Sequence, residues 1–160
     1  MKKITSYLII LIAVLLFLFI LGCKSNAAPK IEKMNEDFIE QKEDKLKEIN
    51  LSLLSLHNKE RKNHNLEIFS LDGSLCDYAQ NHANYMLSKN KLFHSDISNV
   101  GAKLVAENIA YGQENEKEVV EAWMNSYFHR MNILNKRYKK IGFGYVNKDG
   151  KIYWCAVFTN

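Results

Sequence analysis

Two histidines and one glutamate, His94, Glu107 and His129, are the side chains of this sequence best suited to chemistry. Two imidazoles and a carboxylate can hold a divalent cation with open positions for water, or they can share protons in a cleft. None of the three lies four residues from another, so they do not share one face of a single helix. Taken singly, each histidine is also typical of a hydrogen-bonded structural residue. The fold must therefore bring separate segments together to make a site.

Three helices are predicted to position these segments. The first begins near Ile49 and ends around residues 64–65. The second starts behind Asp72, a plausible N-cap, and places four apolar residues at helical spacing: Leu75, Ala79, Ala83 and Met86. The third starts at Asn115, which with Glu118 resembles a capping box. Its apolar face contains Val119, Val120, Trp123 and Met124, and Trp123 is predicted to belong to the core.

The C-terminal segment has the period of strands. Residues 141–146 and 152–158 flank residues 147–150, a hairpin turn signal. In the last strand Ile152, Trp154, Ala156 and Phe158 point one way, and Tyr153, Cys155 and Val157 point the other. Because both faces are apolar, both must be covered by helices. The predicted fold class is α+β, a three-layer α-β-α sandwich with a mainly antiparallel sheet.

The N-terminus is typical of an export signal. Lys2 and Lys3 precede an uncharged, mostly aliphatic run that ends at Gly22-Cys23. The end of the run resembles a bacterial lipobox, which implies cleavage before Cys23 and acylation of that residue with chains such as palmitate. An uncleaved anchor helix is the alternative, since the run nearly spans a hydrocarbon core of about 30 Å. We therefore divide the chain into a signal peptide (1–22), a polar tether (23–46) and a folded domain (47–160).

Composition limits the partners. Removal of residues 1–22 lowers the formal charge from +4 to +2, so the mature chain gives no argument for nucleic-acid binding. The remaining cysteines, Cys76 and Cys155, lie in apolar stretches, where a cysteine also serves as a small hydrophobe; a disulfide between them is the alternative. No Gly-x-Ser-x-Gly motif is present, and neither cysteine is expected to be an exposed nucleophile.

The domain resembles the CAP superfamily of cysteine-rich secretory, antigen 5 and pathogenesis-related-1 proteins, in its bacterial SCP-like branch. The motifs occur in the family's order over residues 48–160: Leu56-His-Asn-Lys-Glu-Arg61, Ala79-Gln-Asn-His-Ala83, Phe93-His-Ser95, Glu107-Asn-Ile-Ala-Tyr-Gly112, His129-Arg-Met-Asn-Ile-Leu134 and Ile141-Gly-Phe-Gly144. The resemblance implies an α-β-α sandwich and a cleft with two histidines and two acids. It matches His94, Glu107 and His129 to three of these four.

The sequence departs from that pattern at the fourth position. Ser126 stands where the second acid is usual, so we expect at most a three-ligand metal site, with a cation such as zinc bound by His94, Glu107 and His129 and completed by water. Ala106 replaces a glycine, and Tyr127-Phe128 replace Pro-Gly; these two aromatics are expected to pack against a neighbour, and the alternative is that they narrow or line the cleft. Ser95 and Asn108 are expected to orient cleft residues. His82, Asn58 and Arg61 are interpreted as structural residues that tie helices to loops.

Three functions are compatible with these features. The first is an extracytoplasmic binding module that is anchored by lipid, with a cleft for a divalent cation, a sterol or fatty acid, or an envelope or host protein. The second is an adhesive or host-interacting surface lipoprotein with a vestigial cleft. The third is a metal-assisted hydrolase acting on peptide or cell-wall material, with Glu107 as acid or base. The binding module is favoured over an enzyme. Because Lys24 follows Cys23, the outer membrane or cell surface is the favoured location.

Overall fold

The structure, a computed structural model, describes residues 27–160, with side chains from residue 31 onward. The predicted signal peptide and the acylation site at Cys23 lie outside these residues. In chain order the elements are α1 (Ala27–Asn63), β1 (Ser70–Leu71), α2 (Gly73–Lys89), a 3-10 helix (Ile97–Val100), β2 (Val105–Tyr111), α3 (Glu116–Asn125), α4 (Tyr127–Ile133), β3 (Lys140–Lys148) and β4 (Lys151–Thr159). Within the described part of the chain, no helix has both the length and the apolar character that crossing a bilayer requires.

Helix α1 begins 22 residues before the predicted start at Ile49. Its additional turns pass through the predicted polar tether, where every side chain from residue 31 to 45 is exposed. Lysine and glutamate dominate this stretch, and both have high helix propensity, so a helix can form there without an apolar face to bury. The end of α1 at Asn63 agrees with the predicted end. Residues 43–160 form one compact unit, which contains every strand.

The four strands form one sheet in the order β1-β3-β4-β2. Strand β4 lies between β3 and β2 and is antiparallel to both, whereas the two-residue β1 pairs in parallel with β3. The sheet is therefore mixed rather than purely antiparallel. The predicted hairpin turn is confirmed at Asp149 and Gly150, whose φ angles of 53° and 76° fit the left-handed conformation of a two-residue turn.

Helices cover both faces of the sheet, which confirms the three-layer α-β-α sandwich. On one face α2 packs through Leu75, Ala79, Ala83 and Met86 against Ile109, Tyr153, Cys155 and Val157. On the other face α1, α3 and α4 contribute Ile49, Leu53, Val119, Val120, Trp123 and Ile133, which pack against Ile152, Trp154, Ala156, Phe158 and neighbouring sheet residues. The alternation in β4 is the one predicted from its period of two.

The helix starts and ends follow the predicted capping chemistry. The Asp72 side chain accepts from the Leu75 N–H, and the Asn115 side chain accepts from the Glu118 N–H. The Glu118 carboxylate reaches back to the Glu114 N–H at 2.9 Å, one residue before the N-cap, which is a variant of the capping box. These contacts fix where α2 and α3 enter the domain, and therefore where the loops that follow them lie.

Candidate functional site

The three predicted site residues come from three different elements. His94 lies in the loop after α2, Glu107 lies on β2, and His129 lies on α4. Strand β2 is at the edge of the sheet, with α2 on one face and α4 on the other. His94 and His129 therefore approach β2 from opposite layers. The fold brings the three segments together at this edge.

Glu107 is the centre of the polar contacts. Its side chain is only 1 % exposed. One oxygen, Oε1, accepts from His94 Nδ1 at 2.7 Å and from the Ser95 backbone N–H at 3.0 Å. The other, Oε2, accepts from the Ser95 hydroxyl at 2.5 Å and from Cys155 Sγ at 3.6 Å. A buried carboxylate with this many donors is fully hydrogen-bonded, so its role is to hold the loop that carries His94.

These contacts define the tautomer of His94. A carboxylate only accepts hydrogen bonds, so Nδ1 must carry the proton that it shares with Glu107. In the neutral ring, Nε2 then has the free lone pair, and the side chain is 62 % exposed. A buried carboxylate that orients an exposed imidazole is the arrangement typical of histidines that bind metals or transfer protons.

The position of His129 is fixed by a hydrogen bond to its backbone carbonyl. Asn108, which follows Glu107 on β2 and points to the opposite face, donates from Nδ2 to the His129 carbonyl at 3.0 Å. Asn132 Nδ2 in turn donates to Asn108 Oδ1 at 2.8 Å. The pKa of His129 is lowered, first by burial and second by the nearby charge of His94. The two imidazoles are thus close enough to influence each other's ionisation.

Ser126 and the two aromatics after it connect α3 to α4. The Ser126 N–H donates to the Trp123 carbonyl, and the hydroxyl makes no capping bond to α4. Tyr127 and Phe128 are 62 % and 76 % exposed. The expectation that they pack against a neighbour is wrong, because their positions on α4 face away from the buried Ile133 and they contact each other instead.

Three residues beside Glu107 escaped the sequence analysis as site components. The Tyr78 hydroxyl lies 3.0 Å from Ser95 Oγ and 2.8 Å from the Asp96 carbonyl, and it can donate its one proton to either oxygen. His82 Nε2 lies 2.7 Å from the Phe93 carbonyl, the structural contact predicted for it, and also 3.9 Å from Glu107 Oε2. Cys155 could have been found from the register, since Glu107 pairs with Val157 and Cys155 shares the Val157 face.

Among the described residues, Cys76 and Cys155 are free and do not form a disulfide with each other. Burial is the main cause that raises the pKa of Cys76, and burial together with the Glu107 charge raises the pKa of Cys155 well above its usual value. A nucleophilic cysteine requires the opposite shift, because the thiolate is the reactive form. Neither cysteine is suited to nucleophilic catalysis, in agreement with the sequence analysis.

The donor set fits two metal ligands better than three. In the described part of the chain, no group of three His, Cys, Asp or Glu side chains is placed to hold a metal ion. Both oxygens of Glu107 are occupied by donors from His94, Ser95 and Cys155. The candidate set of His94, Glu107 and His129 therefore contains two imidazoles that can face an ion and one carboxylate that orients His94.

A pocket of about 340 Å³ lies beside this arrangement. His94 and Ser95 form one of its walls, and the rest is lined by Tyr78, Asn81, His82, Tyr85, Phe93, Asp96 and Asn99. Glu107 and His129 do not line it. His94 therefore belongs both to the histidine pair and to the wall of a pocket that is lined by aromatic and amide side chains.

Comparison with known proteins places this chain in a family. The model of the cysteine-rich secretory protein family, CAP, matches residues 54–158. The Bacillus subtilis protein YkwD is 36 % identical over 117 residues, which are 66 % of this chain and 45 % of YkwD. The chain thus spans less than half the length of this relative.

Two solved structures share the fold. An extracellular SCP-domain protein from Bacillus anthracis is 26 % identical with a TM-score of 0.65, and the match covers 71 % of this chain and 41 % of that one. An outer surface protein from Borrelia burgdorferi is 25 % identical with a TM-score of 0.61, and the match covers 66 % of this chain and 87 % of that one. Both similar proteins are thus extracellular or surface proteins. The motifs occur in the family's order, the fold is the expected sandwich, and the family model matches residues 54–158. This chain belongs to the CAP family of cysteine-rich secretory proteins.

Proposed function

We propose that this chain is an extracytoplasmic CAP-domain lipoprotein, anchored through Cys23, whose domain is a binding module for a divalent cation at His94 and His129. The favoured location is the outer membrane or cell surface, and the extracellular and surface relatives support a place outside the cytoplasm. The proposal does not include catalysis by a cysteine nucleophile, because burial raises the pKa of both Cys76 and Cys155.

The observation that carries the proposal is the contact between Glu107 and His94. The buried carboxylate takes the Nδ1 proton and leaves Nε2, on an exposed ring, as a lone pair beside a second imidazole. Zinc is the cation that these ligands suit best, with water completing its coordination. When bound, the ion would act as a Lewis acid or as a bridge to an acidic group of a partner.

Zinc titration of the chain without residues 1–22 tests the proposal. His94→Ala and His129→Ala should each remove a ligand and abolish saturable zinc binding in calorimetry. Glu107→Gln should weaken binding by about tenfold or more, because His94 loses the carboxylate that orients it. The lowered pKa of His129 favours its neutral, metal-binding form, and zinc binding should weaken as acid protonates the imidazoles.

His64→Ala is the matched control. His64 is an exposed histidine just after α1, with its Nδ1 on the Glu60 carbonyl at 2.8 Å. Its removal should leave zinc binding unchanged. Equal zinc binding by the parent chain, His94→Ala and His129→Ala would refute the proposed site.

A groove of about 510 Å³ favours a second ligand class, a fatty acid. Leu51, Leu54 and Ile68 line it with apolar side chains, and Lys59 and Lys62 are also on its wall. This combination matches a hydrocarbon chain with a carboxylate head, and an ammonium group can pair with such a head. A sterol, which has no acidic group, would leave the lysines without a counter-charge.

Displacement of a fluorescent fatty acid analogue tests this second function. Leu51→Ser should weaken the binding of the analogue several-fold, and Lys62→Gln should reduce the preference for a fatty acid over its methyl ester. Leu92→Ser, at a similarly exposed leucine outside the groove, is the control. Absence of saturable binding in the parent chain would remove the fatty acid.

A further inference from the structure

Helix α4 exposes an apolar face that the domain does not use. Phe128, Tyr127 and Met131 are 76 %, 62 % and 52 % exposed, whereas Ile133 on the same helix is completely buried. Residues three and four positions apart are neighbours on a helix, so the three exposed side chains lie side by side. We call Tyr127, Phe128 and Met131 the α4 patch. Helix α4 packs on the core through Ile133 and not through the patch, so packing within the domain does not explain the patch.

The rings of the α4 patch are packed against each other. Tyr127 and Phe128 are arranged edge to face, with ring centroids 5.3 Å apart. An exposed phenylalanine has no polar group to satisfy in water, whereas a tyrosine beside it has an apolar ring and a polar tip. Such amphipathic pairs are enriched where one end of the side chain is in hydrocarbon and the other is in headgroups.

Along the chain, the charged residues that accompany the α4 patch are of one sign. Residues 122–148 contain six basic residues and no aspartate or glutamate: Arg130, Lys136, Arg137, Lys139, Lys140 and Lys148. Lys139 pairs with Glu67 and Lys140 with Asp72. In the described residues, no salt bridge involves Arg130, Lys136 or Arg137, which lie on α4 or within the turn that follows it. The patch is therefore accompanied by unneutralised positive charge.

The size of the patch also distinguishes between partners. An aromatic side chain buries about 150–250 Å² when covered, so three side chains supply a few hundred Å² at most. A stable protein interface needs roughly 800 Å² on each side. A membrane surface needs much less, because a few inserted side chains and basic residues that face anionic lipids act together.

We propose that the α4 patch is a membrane-contact surface that inserts Tyr127, Phe128 and Met131 into an anionic bilayer, with Arg130, Lys136 and Arg137 facing the headgroups. This contact is separate from the anchor at Cys23, and it lies on the same helix as His129. It would hold the folded domain against the bilayer in one orientation, whereas an N-terminal anchor restricts only the distance between the domain and the bilayer.

Tryptophan quenching in vesicles tests the contact. The full chain is reconstituted into vesicles of phosphatidylglycerol and phosphatidylcholine that contain lipids brominated near the headgroup, and Phe128→Trp is the probe. Its fluorescence should shift to the blue and be quenched in anionic vesicles. Pure phosphatidylcholine vesicles, and the added changes Lys136→Gln and Arg137→Gln, should reduce both effects. The native Trp123 and Trp154 are buried, and the parent chain measures their contribution.

Tyr85→Trp is the matched control. Tyr85 is 50 % exposed on α2, which covers the opposite face of the sheet from α4. Both probes are on the same anchored chain, so the anchor brings them to the vesicle equally. Only insertion of α4 makes the quenching of Phe128→Trp stronger than that of Tyr85→Trp. Equal quenching of the two probes would overturn the proposal. A cross-link from residue 128 to an envelope protein without quenching in vesicles would also overturn it, and would assign the patch to a protein partner.

Discussion

His57 is a polar residue in the middle of the apolar core. It is completely buried, and its ring lies 5.0 Å from Phe143 and 5.7 Å from Trp123, centroid to centroid. Its Nδ1–H donates to the Leu53 carbonyl at 2.8 Å, and Nε2 has no hydrogen-bond partner among the described residues. Burial lowers the pKa of His57 to about 4. The ring is therefore neutral in the folded domain at pH values where it would be charged in the unfolded chain.

This buried histidine predicts a loss of stability in acid. Below pH 6.5 the unfolded chain binds a proton at His57 and the folded domain does not. The free energy of unfolding therefore decreases as the pH is lowered from 6.5 to about 4. The total loss is about 3 kcal/mol, at about 1.4 kcal/mol per pH unit. Urea unfolding at pH 7, 5.5 and 4 measures it. His57→Leu should flatten this profile, whereas His64→Leu should not; identical profiles in all three proteins would contradict the assignment.

At the residue scale, the sequence indicates candidate site residues but not their contacts. His94, Glu107 and His129 were marked by side-chain chemistry and by family motifs. That Glu107 is saturated by Ser95 and Cys155 depends on strand register and loop geometry, which residue types do not encode. The exposure of Tyr127 and Phe128 was missed because apolar character predicts burial only on average.

At the scale of elements, two glycines determine how closely α2 approaches the sheet. A Cβ atom at Gly142 would overlap the backbone of Leu75 and Cys76, and a Cβ at Gly144 would overlap the backbone of Ala79 and Gln80. The helix backbone thus lies directly on strand β3. Neither glycine has a positive φ, so the requirement is for space rather than for backbone conformation.

This close approach predicts a large cost for a single methyl group. Gly144→Ala should lower the free energy of unfolding by about 2–3 kcal/mol, because backbone atoms cannot rotate away as a side chain can. Gly73→Ala is the control, since nothing lies within 4 Å of a Cβ there. Denaturant midpoints measure both changes. A Gly144→Ala chain as stable as Gly73→Ala would mean that α2 packs less closely than described.

The sequence predicted most elements, for identifiable reasons. Strand β4 was clear because its side chains alternate over seven residues, and both cores confirm the alternation. The helix caps at Asp72 and Asn115 depend on local chemistry alone. The two-residue strand β1 was not predicted, because its pairing with Lys140 and Ile141 is a long-range contact. The early start of α1 was not predicted, because Ile31, Met34 and Phe38 are few among the charged residues of that stretch and are all exposed.

At the scale of the whole molecule, Arg61 connects distant parts of the chain. Its fully buried guanidinium donates to four carbonyl groups, those of Glu67, Ile133, Asn135 and Tyr138, at 2.6–3.3 Å. It also lies 3.9 Å above the Phe69 ring. The end of α1 is thereby joined to the turn between α4 and β3. The predicted role of Arg61 as a residue that ties a helix to loops agrees with these contacts.

Loss of these contacts should affect the whole domain. Arg61→Met leaves buried carbonyl groups without donors, at roughly 1–3 kcal/mol for each, against a total stability of about 5–15 kcal/mol. We expect a thermal midpoint too low to measure or one reduced by more than about 10 °C. Arg61→Lys should be intermediate, because one ammonium group reaches fewer carbonyls. Arg137→Met, at an exposed arginine, should be close to the parent chain; equal losses at both arginines would contradict this account.

The position of β4 in the sheet also determines when the domain can fold. All three other strands precede β4 in the chain, yet β4 lies at the centre and carries residues of both cores. During synthesis, β2 and β3 have no partner between them until residues 151–159 have left the ribosome. Until then neither core of the domain can be completed, because β4 contributes residues to both. Late placement of the central strand therefore makes completion of the sheet one of the last steps in the folding of the domain.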